Sequence, residues 1–171
     1  MRATPAAGTS RSFACTTPSD TEITLTRLFD APRDLVWEAM SKPEHVRRWW
    51  GILDGDHSVP VCEIDLRVGG KWRFVGRGPQ GDIPAFYGEY LEIDPPRRVV
   101  FTEIFAPFPD NGSVVTSLLT EEDGKTRLTV TSRYDSKGTR DMVLQTGMEK
   151  GAAISYDRLE DVARELASRA S

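Results

Sequence analysis

Glu103 is the residue in this chain whose surroundings could best make it reactive. It stands two residues from Phe101 and two from Phe105, and side chains two apart on a strand share a face, so its carboxylate keeps apolar company. Burial among such neighbours disfavours the charged form and raises the pKa, and an acid tuned in this way can work as a general base. Two plainer readings stay open: the face carrying Glu103 is the outer one, or Glu103 pairs across strands with Arg73 or Arg98. Tyr87, Ser117 and Gln145 are candidates to hydrogen-bond a ligand and to orient it, and each can instead satisfy a protein neighbour. Ser117 lies between Val115 and Leu119 in alternation, which favours an inward hydroxyl. Trp49, Trp50, Trp72, Phe74, Phe101, Met142, Met148 and Tyr156 are the side chains that would wall an apolar ligand site, and plain core packing accounts for each equally well.

Other chemistries find little support. The two histidines, His45 and His57, are not at ligand spacing from a cysteine or from each other, so no metal site is expected. His45 sits at a helix start, where a solvated or capping role is expected, and His57 belongs to an exposed Asp54-Gly55-Asp56-His57 loop. There is no Gly-x-Ser-x-Gly, no phosphate-binding glycine loop and no dinucleotide fingerprint. That argues against the common hydrolase, kinase and dehydrogenase classes, and no cofactor is expected. Cys62 alternates with apolar neighbours and reads as a small core residue rather than a nucleophile. Cys15 is far from it in sequence, so a disulfide framework is not expected and a reducing cytoplasm is the expected setting.

The elements that must position these residues are mostly short strands. Ile23, Leu25, Arg27 and Phe29 alternate with polar residues in the first. Asp30-Ala31-Pro32 then opens a helix with Leu35, Val36, Ala39 and Met40 on one face. A second short helix, Glu44 to Arg48, runs into Trp49-Trp50-Gly51. Two adjacent tryptophans at a helix end cannot both face a small core, so at least one is expected to line a cavity or rim, and the segment reads as the lip of a pocket. Strands follow over Val59 to Arg67 and Lys71 to Arg77 around Val68-Gly69-Gly70, then Phe86 to Ile93, stopped by Asp94-Pro95-Pro96, and Arg98 to Phe105. Beyond a loop from Ala106 to Gly112, Ser113 to Thr120 and Thr126 to Tyr134 form a hairpin. A single long helix, Thr139 to Ala170, closes the chain, with an apolar stripe of Met148, Ala152, Tyr156, Leu159, Ala163 and Leu166. Gly147 and Gly151 inside it cost about 1 kcal/mol each relative to Ala and are expected either to admit a close backbone, the commoner case, or to loosen the helix where it covers a cavity.

Tight turns between successive strands argue for an antiparallel meander with one face covered, and only the last helix is long enough to cover it. The 171 residues suffice for one domain, over 21–171, behind a flexible tail over 1–20 that has no apolar segment of signal-peptide type. A net charge of −4 with both signs interspersed does not call for nucleic acid, and no apolar run approaches the roughly 18 residues of a membrane span.

Taken in order, Phe29-Asp30-Ala31-Pro32, Val36-Trp37, Pro43-Glu44-His45, Trp49-Trp50-Gly51, Val68-Gly69-Gly70, the run Gly88 to Pro96 and Thr126-Arg127-Leu128-Thr129 resemble the SRPBCC superfamily (START-like, birch-pollen-allergen-like). Within it the chain most resembles the bacterial homologues of the heat-shock-protein ATPase activator, over about Thr21 to Leu166. The resemblance implies an α+β helix-grip fold: a curved antiparallel sheet of six or seven strands, two short helices, and a long C-terminal helix over an apolar cavity. It implies binding of a small hydrophobic or amphipathic ligand there. Two alternatives go with it, a cyclase- or dehydratase-like proton-transfer enzyme using a buried Glu, as in polyketide cyclases, and a co-chaperone partner of a heat-shock ATPase. Sheet edges or the tryptophan lip could also join two copies as a homodimer. Members of the branch often carry Gly-Trp where this chain has Gly151-Ala152, so a missing indole would enlarge the cavity unless Tyr156 fills the volume.

Overall fold

The computed structural model describes residues 12–170. In chain order the elements are β1 (Ala14–Thr16), β2 (Glu22–Phe29), α1 (Arg33–Ser41), α2 (Pro43–Val46), β3 (Ser58–Ile64), β4 (Lys71–Gly78) and β5 (Gly81–Asp82). They continue with β6 (Phe86–Asp94), β7 (Arg98–Phe105), β8 (Ser113–Glu122), β9 (Lys125–Tyr134), α3 (Lys137–Gln145) and α4 (Met148–Ala170). The strands form one sheet in the order β1-β2-β9-β8-β7-β6-β4-β3, every pair antiparallel, with β5 branching from β4. The seven long strands are those the alternation predicts, and β1 and β5 are short additions. The architecture is α+β, a curved sheet gripped by the C-terminal helix.

One face of this sheet is set by the register. Ile23, Leu25 and Phe29 of β2 lie opposite Ser132, Val130 and Thr126 of β9, and this parity carries through Val115 and Leu119 of β8 to Phe101 of β7. Of these residues Ile23, Leu25, Phe29, Val130 and Leu119, together with Leu128, meet Val36 and Ala39 of α1 and the Tyr156, Leu159, Val162 and Ala163 stripe of α4 in the main core. The stripe is thus the one the helical spacing predicts. A smaller cluster of Trp72, Tyr90 and Val99 occupies the inner face nearer the β4 edge.

Three expectations are corrected. The closing helix is two: Gly147 takes φ +82° and separates α3 from α4, a conformation that only glycine adopts cheaply. Gly151 does not admit a close backbone, because a Cβ there would meet nothing within 4 Å. The expected tail is partly structured. Its first eleven residues lie outside the described ones, but Cys15 of β1 pairs with Leu25, and Phe13 and Cys15 pack on the main core. Two apolar side chains in alternation suffice to seat a three-residue edge strand there.

Among the described residues no helix is long and apolar enough to cross a membrane.

Candidate functional site

Glu103 lies on the inner face. It pairs with Ser113 of β8, and the pairs Tyr87–Ile104 and Tyr90–Phe101 that bracket it place Gly88 of β6 opposite it on the other side. Beyond Ser113 comes Tyr134 of β9, and beyond Gly88 comes Trp72 of β4. The acid therefore sits in a cross-strand row, Trp72, Gly88, Glu103, Ser113, Tyr134, with Phe101 and Phe105 to either side along β7.

Glycine at 88 is a requirement of this row. A Cβ there would stand 1.8 Å from the Thr102 carbonyl oxygen and 2.8 Å from Trp72 Nε1. The indole of Trp72 leans over the bare backbone and donates to the Thr102 carbonyl at 3.1 Å, which brings its ring beside the acid. Aromatic contacts extend the wall. Trp72 meets Phe101 at 5.5 Å and Phe74 at 4.9 Å between ring centroids. Trp50 meets Phe74 at 5.1 Å and Phe86 at 5.5 Å. Phe86 stacks on Phe105 at 4.7 Å. Offset and edge-on pairs at these separations hold rings in fixed orientations.

The electrostatics follow from enclosure. Glu103 is surrounded by protein, and the resulting loss of solvation pushes its carboxyl up to about 7. The residue nevertheless keeps part of its surface accessible, so a water molecule can reach it. Among the described residues no ion pair or hydrogen bond reaches it. Both arginines that could have paired with it are elsewhere: Arg98 lies 3.5 Å from Glu92, and Arg73 stands opposite Glu63 and Tyr87 on the other face. Burial and the nearby Glu103 charge together raise the Tyr134 phenol to about 12, against hydrogen bonds from Ser132 and Ser113. The same two causes hold the Tyr156 phenol above the ordinary tyrosine range.

The other candidates divide. Trp50, Trp72, Phe74 and Phe101 belong to the aromatic wall, and Met148 and Tyr156 pack under α4, with the Tyr156 ring on Phe13 and Phe29 at 6.1 and 6.0 Å. Ser117 is buried on the inner face opposite Val99 and Val130. Trp49 is a core residue whose Nε1 donates to the Ala39 carbonyl at 2.9 Å, so only Trp50 of the pair faces the wall. Tyr87 is on the outer face, where it borders an open hollow of about 370 Å³ with Glu63, Lys71 and Arg73. Met142 and Gln145 are exposed on α3, because Val143 and Leu144 take its inward side. Tyr87 and Gln145 are therefore not brought to Glu103, whereas Ser113, Tyr134 and Gly88, which sequence reasoning passed over, are. Tyr134 continues the alternation Leu128, Val130, Ser132, and that signal could have found it.

The histidines have their own partners. His45 Nε2 lies 3.4 Å from Glu38, and His57 Nδ1 lies 2.7 Å from Asp54 with its ring largely covered, although its loop is exposed as expected. Backbone and side-chain hydrogen bonds from Asp56 and His57 hold Asp54 below the usual carboxylate range. Among the described residues no group of three or more His, Cys, Asp or Glu is placed to hold a metal ion. Burial raises the Cys62 thiol to about 11, which leaves it a packing residue.

A curved antiparallel sheet with a long helix across a half-open aromatic face defines the helix-grip, SRPBCC-type class of protein. Residues 30–164 match the family described as Activator of Hsp90 ATPase homolog 1-like protein, and the chain belongs to that family. Solved structures agree on the fold. A Rhodobacter sphaeroides protein superposes with TM-score 0.81 at 23% identity, over 90% of this chain and 99% of its own. A Mycobacterium smegmatis protein gives 0.77 at 29% identity, over 87% and 94%. An AHSA1-like protein from Aeromonas hydrophila gives 0.66 at 21% identity, over 85% and 94%. No curated protein matches the sequence.

Proposed function

We propose that this protein binds a small hydrophobic or amphipathic ligand between the inner sheet face and helices α3 and α4. The observation that carries the reading is the state of Glu103: enclosed by protein, still partly accessible to water, and without a partner among the described residues. Protein interiors close around such a group or satisfy it. The surrounding Trp72, Phe74, Phe86, Phe101 and Phe105 offer apolar area, and a few polar groups among apolar ones is the composition of a ligand site. A thermal-shift screen with fatty acids, aromatic amines and polycyclic aromatics, joined to native mass spectrometry of the purified chain, tests this. Binding raises the melting temperature in proportion to ligand excess over Kd. A panel that shifts nothing, with no co-purified mass, would remove the proposal.

A second reading has one observation in its favour. An acid titrating near 7 is populated in both protonation states at neutral pH, which suits proton transfer. Glu103 would then be the general base, with Tyr134 or Tyr156 in place of Tyr87 or Gln145 as the orienting group. Undiminished turnover by Glu103→Gln of any substrate found would exclude it.

A further inference from the structure

We infer that the ligand is a hydrophobic organic cation, an amine or quaternary ammonium, held by Glu103 within a wall formed by Trp72, Phe86, Phe101 and Phe105. The inference rests on the binding reading above and specifies the ligand's charge. Its basis is the sign of everything that faces this space. The inward positions of β4, β6, β7, β8 and β9, read from the register, carry no lysine or arginine. The cation on the inner face of β2, Arg27, is bound to Asp157 and Glu160 of α4. Arg140 of α3 is committed to Asp141 and to the Ser19 and Glu22 carbonyls. Arg158 of α4 has a buried Nε without a hydrogen-bond partner, but its charge acts on Asp54; among the described residues an anionic ligand would find no free counter-charge beside Glu103 and would meet that acid.

A cation would find two complementary features. Ring faces carry negative potential and attract cations within about 6 Å, more strongly when water is excluded. The carboxylate supplies a full counter-charge that no cation among the described residues matches. The titratable groups coupled to Glu103 are Tyr134 from β9 and Tyr156 from α4, both neutral at working pH. Tyr90 of β6 lies on the far side of Phe101, 6.1 Å away between centroids, and its phenol is held neutral by burial. Ser113 of β8 adds only a hydroxyl. The other carboxylates at the inner face, Asp157 and Glu160, are engaged by Arg27.

The pH dependence has a definite sign. A permanent cation binds the ionised acid, so its affinity falls by up to about tenfold per pH unit below the Glu103 titration and is flat above it. A neutral ligand that accepts a hydrogen bond from protonated Glu103 would show the opposite trend.

The test titrates the full chain, by calorimetry and tryptophan emission, with benzyltrimethylammonium, its neutral carbon isostere neopentylbenzene, and phenylacetate, from about pH 5.5 to about pH 8.5. The expected result is preference for the cation, lost as pH falls, with Glu103→Gln weakening the cation by about tenfold or more and leaving neopentylbenzene unchanged. Comparable binding of neopentylbenzene or phenylacetate by the wild type overturns the cation assignment while the ligand-binding reading stands, as does affinity that rises on acidification. Those comparisons use the wild type alone and hold if the variant does not fold. Failure of all three probes to bind overturns this inference and counts against the binding reading itself.

Discussion

Replacing Arg27 by alanine should loosen the helix that closes the site. Arg27 is on the inner face of β2 with its side chain only 3% accessible, and its Nη1 donates to Asp157 Oδ1 at 2.5 Å. Its Nη2 lies 3.6 Å from Glu160 Oε1, and its guanidinium stands 5.4 Å over the Phe29 ring. Both acids belong to α4, so one buried cation ties the helix to the sheet. Alanine would leave two carboxylates facing an apolar void and would remove the packing of the arginine stem. Breaking a buried pair by deleting one partner costs about 3–5 kcal/mol. Asp157 and Glu160 keep 25% and 18% of their surface, so water can reach them and the lower end applies. At about 2–4 °C per kcal/mol for a chain of this size, the melting temperature should fall by about 6–12 °C. Urea unfolding followed by far-ultraviolet dichroism gives the free energy directly. Arg27→Met combined with Asp157→Asn and Glu160→Gln removes the charges together and should recover most of the loss. A loss below about 1 kcal/mol in Arg27→Ala, or no recovery in the triple variant, would show that α4 is held by Tyr156, Leu159 and Ala163 alone.

The remaining predictions concern the site and its glycines. Glu103 titrates at about 7 in the folded state against an ordinary 4.5, so its contribution to stability is fully present below 4.5 and is lost as pH rises through 7. At about 1.4 kcal/mol per pH unit the loss is at most about 3 kcal/mol. Glu103→Gln should therefore raise the melting temperature at about pH 8 and change it little near pH 4.5; parallel melting curves for the two proteins would contradict the assignment. Gly88→Ala places a Cβ 1.8 Å from a backbone oxygen of the adjacent strand, which no rotamer relieves. It should yield insoluble protein or a loss of more than about 3 kcal/mol in chemical unfolding. Gly151→Ala meets open space within α4 and should stabilise by up to about 1 kcal/mol, a gain visible by calorimetry. A loss there would mean that α4 packs more closely at Gly151 than the structure has it.

Period-two alternation made most of the sheet readable. It paired Phe101 and Phe105 with Glu103 on one face and gave seven strands, while helical spacing gave the stripe of α4. It could not assign Tyr87, because adjacent Phe86 and Tyr87 are both aromatic and either could face inward. Pairing with β7, together with the space Gly88 must leave for the Thr102 carbonyl, decides for Phe86. The break at Gly147 was equally hidden, since a glycine in a helical pattern reads alike whether φ is negative or, as here, +82°. Arg27 was placed in its alternating row, but its partners Asp157 and Glu160 lie 130 and 133 residues further along the chain, beyond any local pattern.

The unsatisfied state of Glu103 is a consequence of how its neighbours are satisfied. Trp72 has one N–H, and because residue 88 has no side chain that N–H reaches the Thr102 carbonyl. The Ser113 and Ser132 hydroxyls are engaged by the Tyr134 phenol, and Thr102 turns its hydroxyl to the outer face, where it receives the Glu89 amide at 2.9 Å. The Trp72 N–H and the Ser113 hydroxyl therefore have other partners, set by the register of adjacent strands. Moving either of them to Glu103 would cost a hydrogen bond already made, and an unmade one in the interior costs about 1–3 kcal/mol. Among the described residues the chain thus holds an enclosed acid that no hydrogen bond or ion pair of its own reaches. A group in that position takes its partner from solvent or from a guest, and the apolar rings around it favour the guest.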